Sequence, residues 1–348
     1  MEISEMRLKI LFLLGFASTI FAACSARNAQ VRDDTLVQGK LLSFPSGFYQ
    51  SIVYLDDRLI GFTFGDQLDP IKRVSYAYEG DVALHSFNPQ NINECKDFIG
   101  YSIKGVLPDG RIGFLGCGED TGSTLGMFTY NWQTGEVEPL IKGPLVQGYQ
   151  PKSFTWNPEM TRGVQEMVSG AQGTIYWISP EGISPMDVKI EYQGLTWNLK
   201  DYYEGKEDVG LVLSPSWSPD GKTIAFFAST YGVREEPRLK ASIKYELYFM
   251  DPSELMPVQV LKGMVNAVHI RWSPDGKYLL FSGCAGPMQR CGLWLYTLES
   301  KSLSLVAEGD FQDFIWVTDK KVVAIKNIAL PYNDNEIWKY SIEQLLEP

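Results

Sequence analysis

The sequence is poor in the residues that most metal sites and hydrolases require. Its 348 residues include only 2 histidines. It has no Cys-x-x-Cys pair of the kind found in structural zinc sites, and no Gly-x-Ser-x-Gly motif of the kind that carries a hydrolase serine. Positive charge is also scarce, with 31 Lys plus Arg against 42 Asp plus Glu and a net charge of −11. We therefore expect no catalytic residue, no metal, no cofactor and no nucleic-acid partner.

The sequence also lacks an apolar run long enough for a permanent membrane helix. The longest run, residues 10–23, has about 14 residues, whereas a spanning helix needs about 20. Arg7 and Lys9 precede this run and small residues end it. A basic start, a short apolar stretch and small residues predict an export signal over residues 1–23.

The end of this signal is similar to a bacterial lipobox. The segment reads Ile20-Phe-Ala-Ala-Cys24, with Phe21 where the family usually has Leu. The resemblance implies a lipid on the thiol of Cys24 and a tether over residues 24–36. The alternative is an ordinary secretory signal with an incidental Cys24. We expect an exported lipoprotein, anchored in the bacterial cell envelope on its periplasmic or cell-surface side.

One hexapeptide is strongly repeated. Trp-Ser-Pro-Asp-Gly-Lys occupies residues 217–222 and 272–277, each time before an apolar strand. Pro fixes one backbone angle, Asp can accept from following amides, and Gly tolerates the positive φ of a tight hairpin. Weaker copies complete the series, with starts at Tyr54, Val106, Trp156 and Trp316. A spacing of about 50 residues is typical of the longer propeller repeats.

Each repeat contains further alternating strands, so that one unit reads as four antiparallel strands. We therefore predict an all-β fold, a six-bladed β-propeller over residues 37–348. The last copy lacks a fourth strand after Tyr340, and residues 37–44 resemble the fourth strands of the other copies. We expect this N-terminal strand to close the last blade and remove an open sheet edge.

The fourth and fifth copies resemble the TolB-like (WD40-like) propeller repeat. The fourth copy reads Trp-Ser-Pro-Asp-Gly-Lys-x-Ile-Ala-Phe from Trp217, followed by Leu-Tyr-x-Met-Asp from Leu247. The resemblance implies a non-catalytic scaffold that binds other envelope proteins. Propellers host many activities, however, so an alternative stays open: a propeller that binds or hydrolyses a small ligand or glycan in its central channel, assisted by calcium.

Six equivalent positions on the innermost strands are expected to line this channel. His269 lies three residues before Trp272, and the equivalent residues are Ser51, Ile103, Ser153, Ser214 and Asp313. A lone histidine at such a place is more often a hydrogen-bonded lining residue than a catalyst, since a general base needs a positioned partner.

Four cysteines remain after Cys24. Cys95 precedes Cys117 by about one hairpin, and Cys284 and Cys291 flank one strand-to-strand connection. In an oxidising compartment the pairs 95–117 and 284–291 are plausible disulfides. The alternative is four buried free thiols.

Two insertions interrupt the repeat around its fourth copy. They span residues 193–210 and 229–245, and we expect both on one rim of the fourth blade. Their aromatic and basic residues form the candidate partner surface: Trp197, Tyr202, Tyr203, Tyr231, Arg234, Arg238, Lys240 and Lys244. Such a patch on an acidic protein is typical of a protein contact, and the alternative is loop decoration without a partner.

Overall fold

The computed structural model is almost entirely β-sheet. It describes residues 30–32, 36–64, 74–87, 89, 102–116, 126–141, 150–169, 172–192, 195–198, 211–229, 244–285, 290–328 and 335–346. The export signal, Cys24, Cys95 and Cys117 lie outside these residues. So do Tyr202, Tyr203, Tyr231, Arg234, Arg238 and Lys240 of the candidate partner surface. Within the described part of the chain, no helix has the length and apolarity needed to span a bilayer.

The strands of the first three blades follow two short N-terminal strands. The N-terminal strands are β1 (Gln30–Arg32) and β2 (Gly39–Leu41). Blade 1 consists of β3 (Tyr49–Leu55), β4 (Arg58–Phe64), β5 (Val74–Tyr78) and β6 (His85–Ser86). Blade 2 consists of β7 (Ser102–Val106), β8 (Ile112–Gly116), β9 (Gly126–Tyr130) and β10 (Val137–Pro139). Blade 3 consists of β11 (Gln150–Trp156), β12 (Gly163–Ser169), β13 (Gln172–Ser179) and β14 (Gly182–Pro185).

A separate hairpin, β15 (Lys189–Tyr192) and β16 (Leu195–Asn198), precedes the last three blades. Blade 4 contains β17 (Leu211–Trp217), β18 (Ile224–Ser229), β19 (Lys244–Met250) and the first half of β20 (Pro257–Trp272). Blade 5 contains the second half of β20, then β21 (Tyr278–Ala285), β22 (Arg290–Thr297) and β23 (Ser302–Glu308). Blade 6 contains β24 (Asp310–Thr318), β25 (Lys321–Asn327) and β26 (Asn335–Ser341), and the short helix α1 (Glu343–Leu346) follows it.

The N-terminal strand closes the ring, which confirms the expected closure. β2 pairs antiparallel with β26, with Gly39 opposite Tyr340 and Leu41 opposite Trp338. The amide of Leu42 continues this ladder by donating to the carbonyl of Ile337 at 2.9 Å. Blade 6 therefore takes its fourth strand from the beginning of the domain, and the prediction of a six-bladed propeller is confirmed.

A second strand of the N-terminal segment was not expected. β1 falls within the region assigned to the tether, yet it pairs in parallel with β23. Val37 then donates its amide to the carbonyl of Val306 at 3.1 Å and is buried, with 7% of its surface exposed. The N-terminal run thus crosses from the outer edge of blade 5 to the outer edge of blade 6.

The hydrophobic core is divided into six clusters, one between each pair of neighbouring blades. Trp217 belongs to the cluster between blades 3 and 4, and Trp156 to the cluster between blades 2 and 3. Trp272 and Trp316 pack against the next two clusters as half-buried side chains. Each blade thus buries its large apolar residues only against its neighbours, as the repeat predicts.

The two strong hexapeptides fold into the same hydrogen-bonded turn. Ser218 Oγ donates to Asp220 at 2.6 Å, and the amides of Lys222 and Thr223 donate to Asp220 and to Ser218 Oγ. The fifth copy repeats these bonds, with 2.7 Å between Ser273 Oγ and Asp275. Gly221 has a φ of 69° and Gly276 of 71°, the left-handed conformation that glycine tolerates.

Candidate functional site

The first strand of each blade has an irregularity in its pairing with the second strand. In all six blades the register between the first and second strands shifts near the residue predicted to line the channel. The shifts lie at Tyr49/Ser51, Ile103/Gly105, Pro151/Phe154, Leu213/Ser216, Val268/Arg271 and Phe311/Asp313. A bulge re-aims local side chains and leaves backbone groups without ladder partners. These positions are therefore the candidate functional site.

Asp313 joins blade 6 to blades 1 and 5. Its Oδ2 accepts from Ser51 Oγ and from the amide of Ile52, both at 3.2 Å. Its Oδ1 accepts from its neighbour, the amide of Phe314, at 2.9 Å and lies 3.5 Å from Arg271 Nη2. The residue is 6% exposed, so this carboxylate acts as a buried acceptor shared by three blades.

Glu166 has the same function between blades 3 and 4. Its Oε2 accepts from Ser153 Oγ at 3.0 Å and from the amide of Ser214 at 2.7 Å. Ser214 Oγ in turn accepts from the amide of His269 at 2.9 Å. A continuous set of hydrogen bonds therefore links the innermost strands of blades 3, 4 and 5.

Two of these residues have an uncommon backbone conformation. Ser214 and His269 have φ values of 53° and 56°, in the left-handed region that few non-glycine residues adopt. The imidazole of His269 lies 6.4 Å from the ring of Phe314, measured between centroids. The bonded amides of both residues hold this conformation against its local cost.

Five of the six positions predicted to line a channel take part in described hydrogen bonds, and the sixth, Ile103, is a buried apolar residue. Ser51, Ser153, Ser214, His269 and Asp313 each take part in a hydrogen bond between strands or blades. Glu166 was missed by the sequence analysis because it lies on the second strand of its blade, where no repeat position points to it. Within the described residues, no group of three or more His, Cys, Asp or Glu side chains could hold a metal ion.

A second polar element lies between β19 and the hairpin β15–β16. Tyr248 hydroxyl lies 2.7 Å from the carbonyl of Glu191 and 3.1 Å from Glu246 Oε2. Glu246 is 5% exposed, and burial raises the pKa of its carboxyl although the contact with Tyr248 opposes this. The Tyr248 hydroxyl thereby joins the hairpin to blade 4, and the buried carboxyl of Glu246 lies against the same hydroxyl.

An aromatic cluster joins the outer halves of blades 1 and 2 and was also missed. Tyr76 lies 4.8 Å from Trp132 and 5.3 Å from His85, measured between ring centroids. His85 Nε2 lies 2.9 Å from Asp81 Oδ2. Burial raises the pKa of the Tyr76 hydroxyl. The alternating tyrosines of β5 are the sequence signal for this cluster, and its rings pack mainly on one another.

The cysteine pair of blade 5 forms the expected disulfide. Cys284 and Cys291 are opposite each other on β21 and β22, with Cα atoms 3.9 Å apart and their sulfur atoms bonded. The pair crosses the end of the hairpin far from the hexapeptide turn. This confirms the prediction for 284–291, whereas the pair 95–117 lies outside the described residues.

Two members of the candidate partner surface have a described backbone. Trp197 is in β16 opposite Ile190, and Lys244 is the first residue of β19. The long connection before blade 4 therefore includes a strand. Ile190 is fully buried in the cluster between blades 3 and 4, which attaches this hairpin to the ring.

The chain was compared with known proteins. No protein-family model matches it, and no curated protein is significantly similar to it. Among solved structures, TolB from Acinetobacter baumannii gives a TM-score of 0.48 at 11% identity, covering 82% of this chain and 64% of that chain. This chain thus spans less than two thirds of that TolB.

Two enzymes give similar values. An oligogalacturonate lyase from Vibrio parahaemolyticus gives 0.48 at 12% identity and covers 92% of this chain and 97% of that chain. A gluconolactonase from Xanthomonas campestris gives 0.47 at 9% identity and covers 92% and 99%. The expected likeness to TolB is therefore found, but at such identities a likeness transfers no activity. The assignment as a propeller rests on the strand pairing itself.

Proposed function

We propose that the protein is a non-catalytic propeller of the bacterial cell envelope, anchored through a lipid on Cys24, and that it binds other envelope proteins. The non-catalytic part of this proposal is supported by the hydrogen bonds that Asp313 and Glu166 accept. Each of these inner carboxylates accepts from a backbone amide of the following blade, at 3.2 Å and 2.7 Å. A general acid or base must exchange its proton with a substrate, whereas these carboxylates accept from fixed donors of the ring itself.

The anchor can be tested by metabolic labelling. The full chain is expressed in a bacterium that processes lipoproteins and is grown with radioactive palmitate. We expect label on the wild-type protein and none on Cys24→Ser, which should also keep its leader. A Cys24→Ser protein that matures like the wild type would contradict the anchor.

The interaction can be tested by crosslinking on intact cells, followed by identification of the captured proteins. We expect envelope proteins, and we expect a purified pair to reproduce the binding. The matched variant lacks residues 230–243, which lie between β18 and β19. Equal recovery of every partner by this variant would contradict the candidate partner surface.

Calcium separates this proposal from a channel that binds a small ligand or glycan. A ligand that binds only the folded state raises its melting temperature. We expect equal melting temperatures in calcium and in a chelator. A calcium-dependent rise that Asp313→Asn abolishes would favour the channel and contradict the scaffold.

A further inference from the structure

The register of blade 5 shows where the N-terminal segment reaches the ring. Tyr278, which ends the hexapeptide turn, is opposite Thr297, and Thr297 is opposite Ser302. Ser302 is in turn opposite Gln30. The first described residue therefore lies at the same end of blade 5 as its hexapeptide turn.

The hexapeptide turns of neighbouring blades share one face of the ring, here named the turn face. The turn of blade 5 contacts that of blade 6, since the amide of Asp275 donates to Asp319 Oδ1 at 2.9 Å. The other ends of the strands form the opposite face. In blade 4 these ends are Leu211 and Ser229, which are paired with each other. Leu211, Ser229 and Lys244, the described strand ends that flank the two long connections in the sequence, all lie at the opposite face.

The distance from Cys24 to β1 is short. Gln30 is six residues after Cys24. At no more than about 3.6 Å per residue, this segment reaches at most about 21 Å. The eight residues of β22, which run from the opposite face to the turn face, are about 25 Å long. The backbone of Cys24 therefore cannot reach the level of the opposite face.

The N-terminal run itself carries apolar side chains on the outside of the ring. Leu36 is 41% exposed and Leu41 is 49% exposed. Leu36 precedes Val37, which bonds to Val306 in the half of β23 toward the opposite face, and Leu41 is opposite Trp338 at the middle of β26. These two exposed side chains therefore do not distinguish the two faces. The orientation of the ring is instead inferred from the position of Gln30 and from the length of the tether.

From this geometry we propose that the turn-face edge of blades 5 and 6 lies against the bilayer that holds the Cys24 lipid, and that the opposite face is directed away from it. This inference rests on the proposed lipidation of Cys24. It deepens the proposed function, because it directs the strand ends Leu211, Ser229 and Lys244 toward partners in the space beyond the anchoring membrane.

Site-specific photocrosslinking to lipid tests this orientation on the full, lipidated chain in its membrane. A benzophenone amino acid replaces Lys301 or Lys320, in the turns before β23 and β25 on the anchored side, or Ile328 on the other. Lys301 is in the exposed turn before β23, and Ile328 is 48% exposed just after the opposite end of β25. We expect several-fold more phospholipid crosslinked from the first two positions than from Ile328. Equal crosslinking, or more from Ile328, would overturn the orientation.

Two measurements keep the result specific. Palmitate label is recorded for every variant: absence of label contradicts the anchor, whereas label with equal crosslinking contradicts only the orientation. A Gly/Ser segment of about 20 residues, inserted after residue 27, extends the reach well beyond the thickness of the ring. We expect this insertion to reduce the difference in phospholipid crosslinking between the positions. If that difference persisted in full, it would overturn the argument from tether length.

Discussion

Replacing Asp313 with Ala should destabilise the ring at its closure. The substitution leaves the buried amide of Ile52 without its acceptor, 3.2 Å away in the native protein, and removes the acceptor of Ser51 Oγ. An unsatisfied buried donor costs about 1–3 kcal/mol. The contact with Arg271, whose side chain is 35% exposed, adds no more than about 1 kcal/mol. We therefore expect a loss of about 3 kcal/mol in the free energy of unfolding.

The assay is urea unfolding followed by tryptophan fluorescence, on protein exported without the lipid through Cys24→Ser. Asp310→Ala is the matched control, since Asp310 is an exposed residue at the start of the same strand and its Oδ2 accepts from Asn327 Nδ2 at 2.9 Å. It should lose about 0.5 kcal/mol. Asp313→Asn keeps an oxygen acceptor and should fall between the two. Equal losses for Asp313→Ala and Asp310→Ala would refute the inter-blade function of this carboxylate.

Three further changes test other parts of the structure. Removing residues 25–45 deletes β1 and β2 and exposes the edge of blade 6, so the melting temperature should fall, and an unchanged value would contradict the closure. Gly221→Ala should lose about 1–2 kcal/mol or more, because its φ is 69° and the added Cβ would lie 3.1 Å from the proline of the preceding turn. Gly135→Ala is its control, because Gly135 has a φ of 76° and its added Cβ would meet open space. An equal loss of stability in both variants would show that the contact with the proline adds nothing to the cost. Changing Cys284 and Cys291 together to Ser should lower the free energy of unfolding by about 2.5 kcal/mol, because the unfolded chain loses a closed loop. If a maleimide labelled both thiols of the wild type under denaturing, non-reducing conditions, the disulfide would be contradicted.

The fold could be predicted from the sequence because its information is local and repeated. Within one hexapeptide, Ser218, Asp220 and Gly221 specify the whole turn through contacts between residues at most five apart. Copies at a regular spacing then require a ring, since one blade cannot bury its own tryptophan. The sequence also predicted that blade 6 lacks a fourth strand, because the last repeat contains only three, and β2 provides that strand.

The site could be predicted only in part, because its bonds connect distant residues. The lining positions were found from their fixed offset to the hexapeptide, but Asp313 and Ser51 are 262 residues apart and their bond has no sequence signal. Glu166 lies on the second strand of its blade, whereas the offset from the hexapeptide identifies positions on the first strand. β1 was missed for a related reason, since three residues that pair in parallel with a distant strand have no local pattern.

The structural functions of the hexapeptide limit where a binding function can be encoded. Its tryptophans pack between blades, its aspartates hold the turns, and the turn of blade 5 bonds to the turn of blade 6. The buried carboxylates of Asp313 and Glu166 likewise bond to backbone amides of adjacent blades. Substitutions at these positions would damage the ring before they altered a partner contact. Leu211 and Ser229, which flank the two insertions of the sequence, lie at the strand ends away from the hexapeptide turns. A partner surface in those insertions, as proposed, would therefore lie apart from the residues whose bonds hold the ring together.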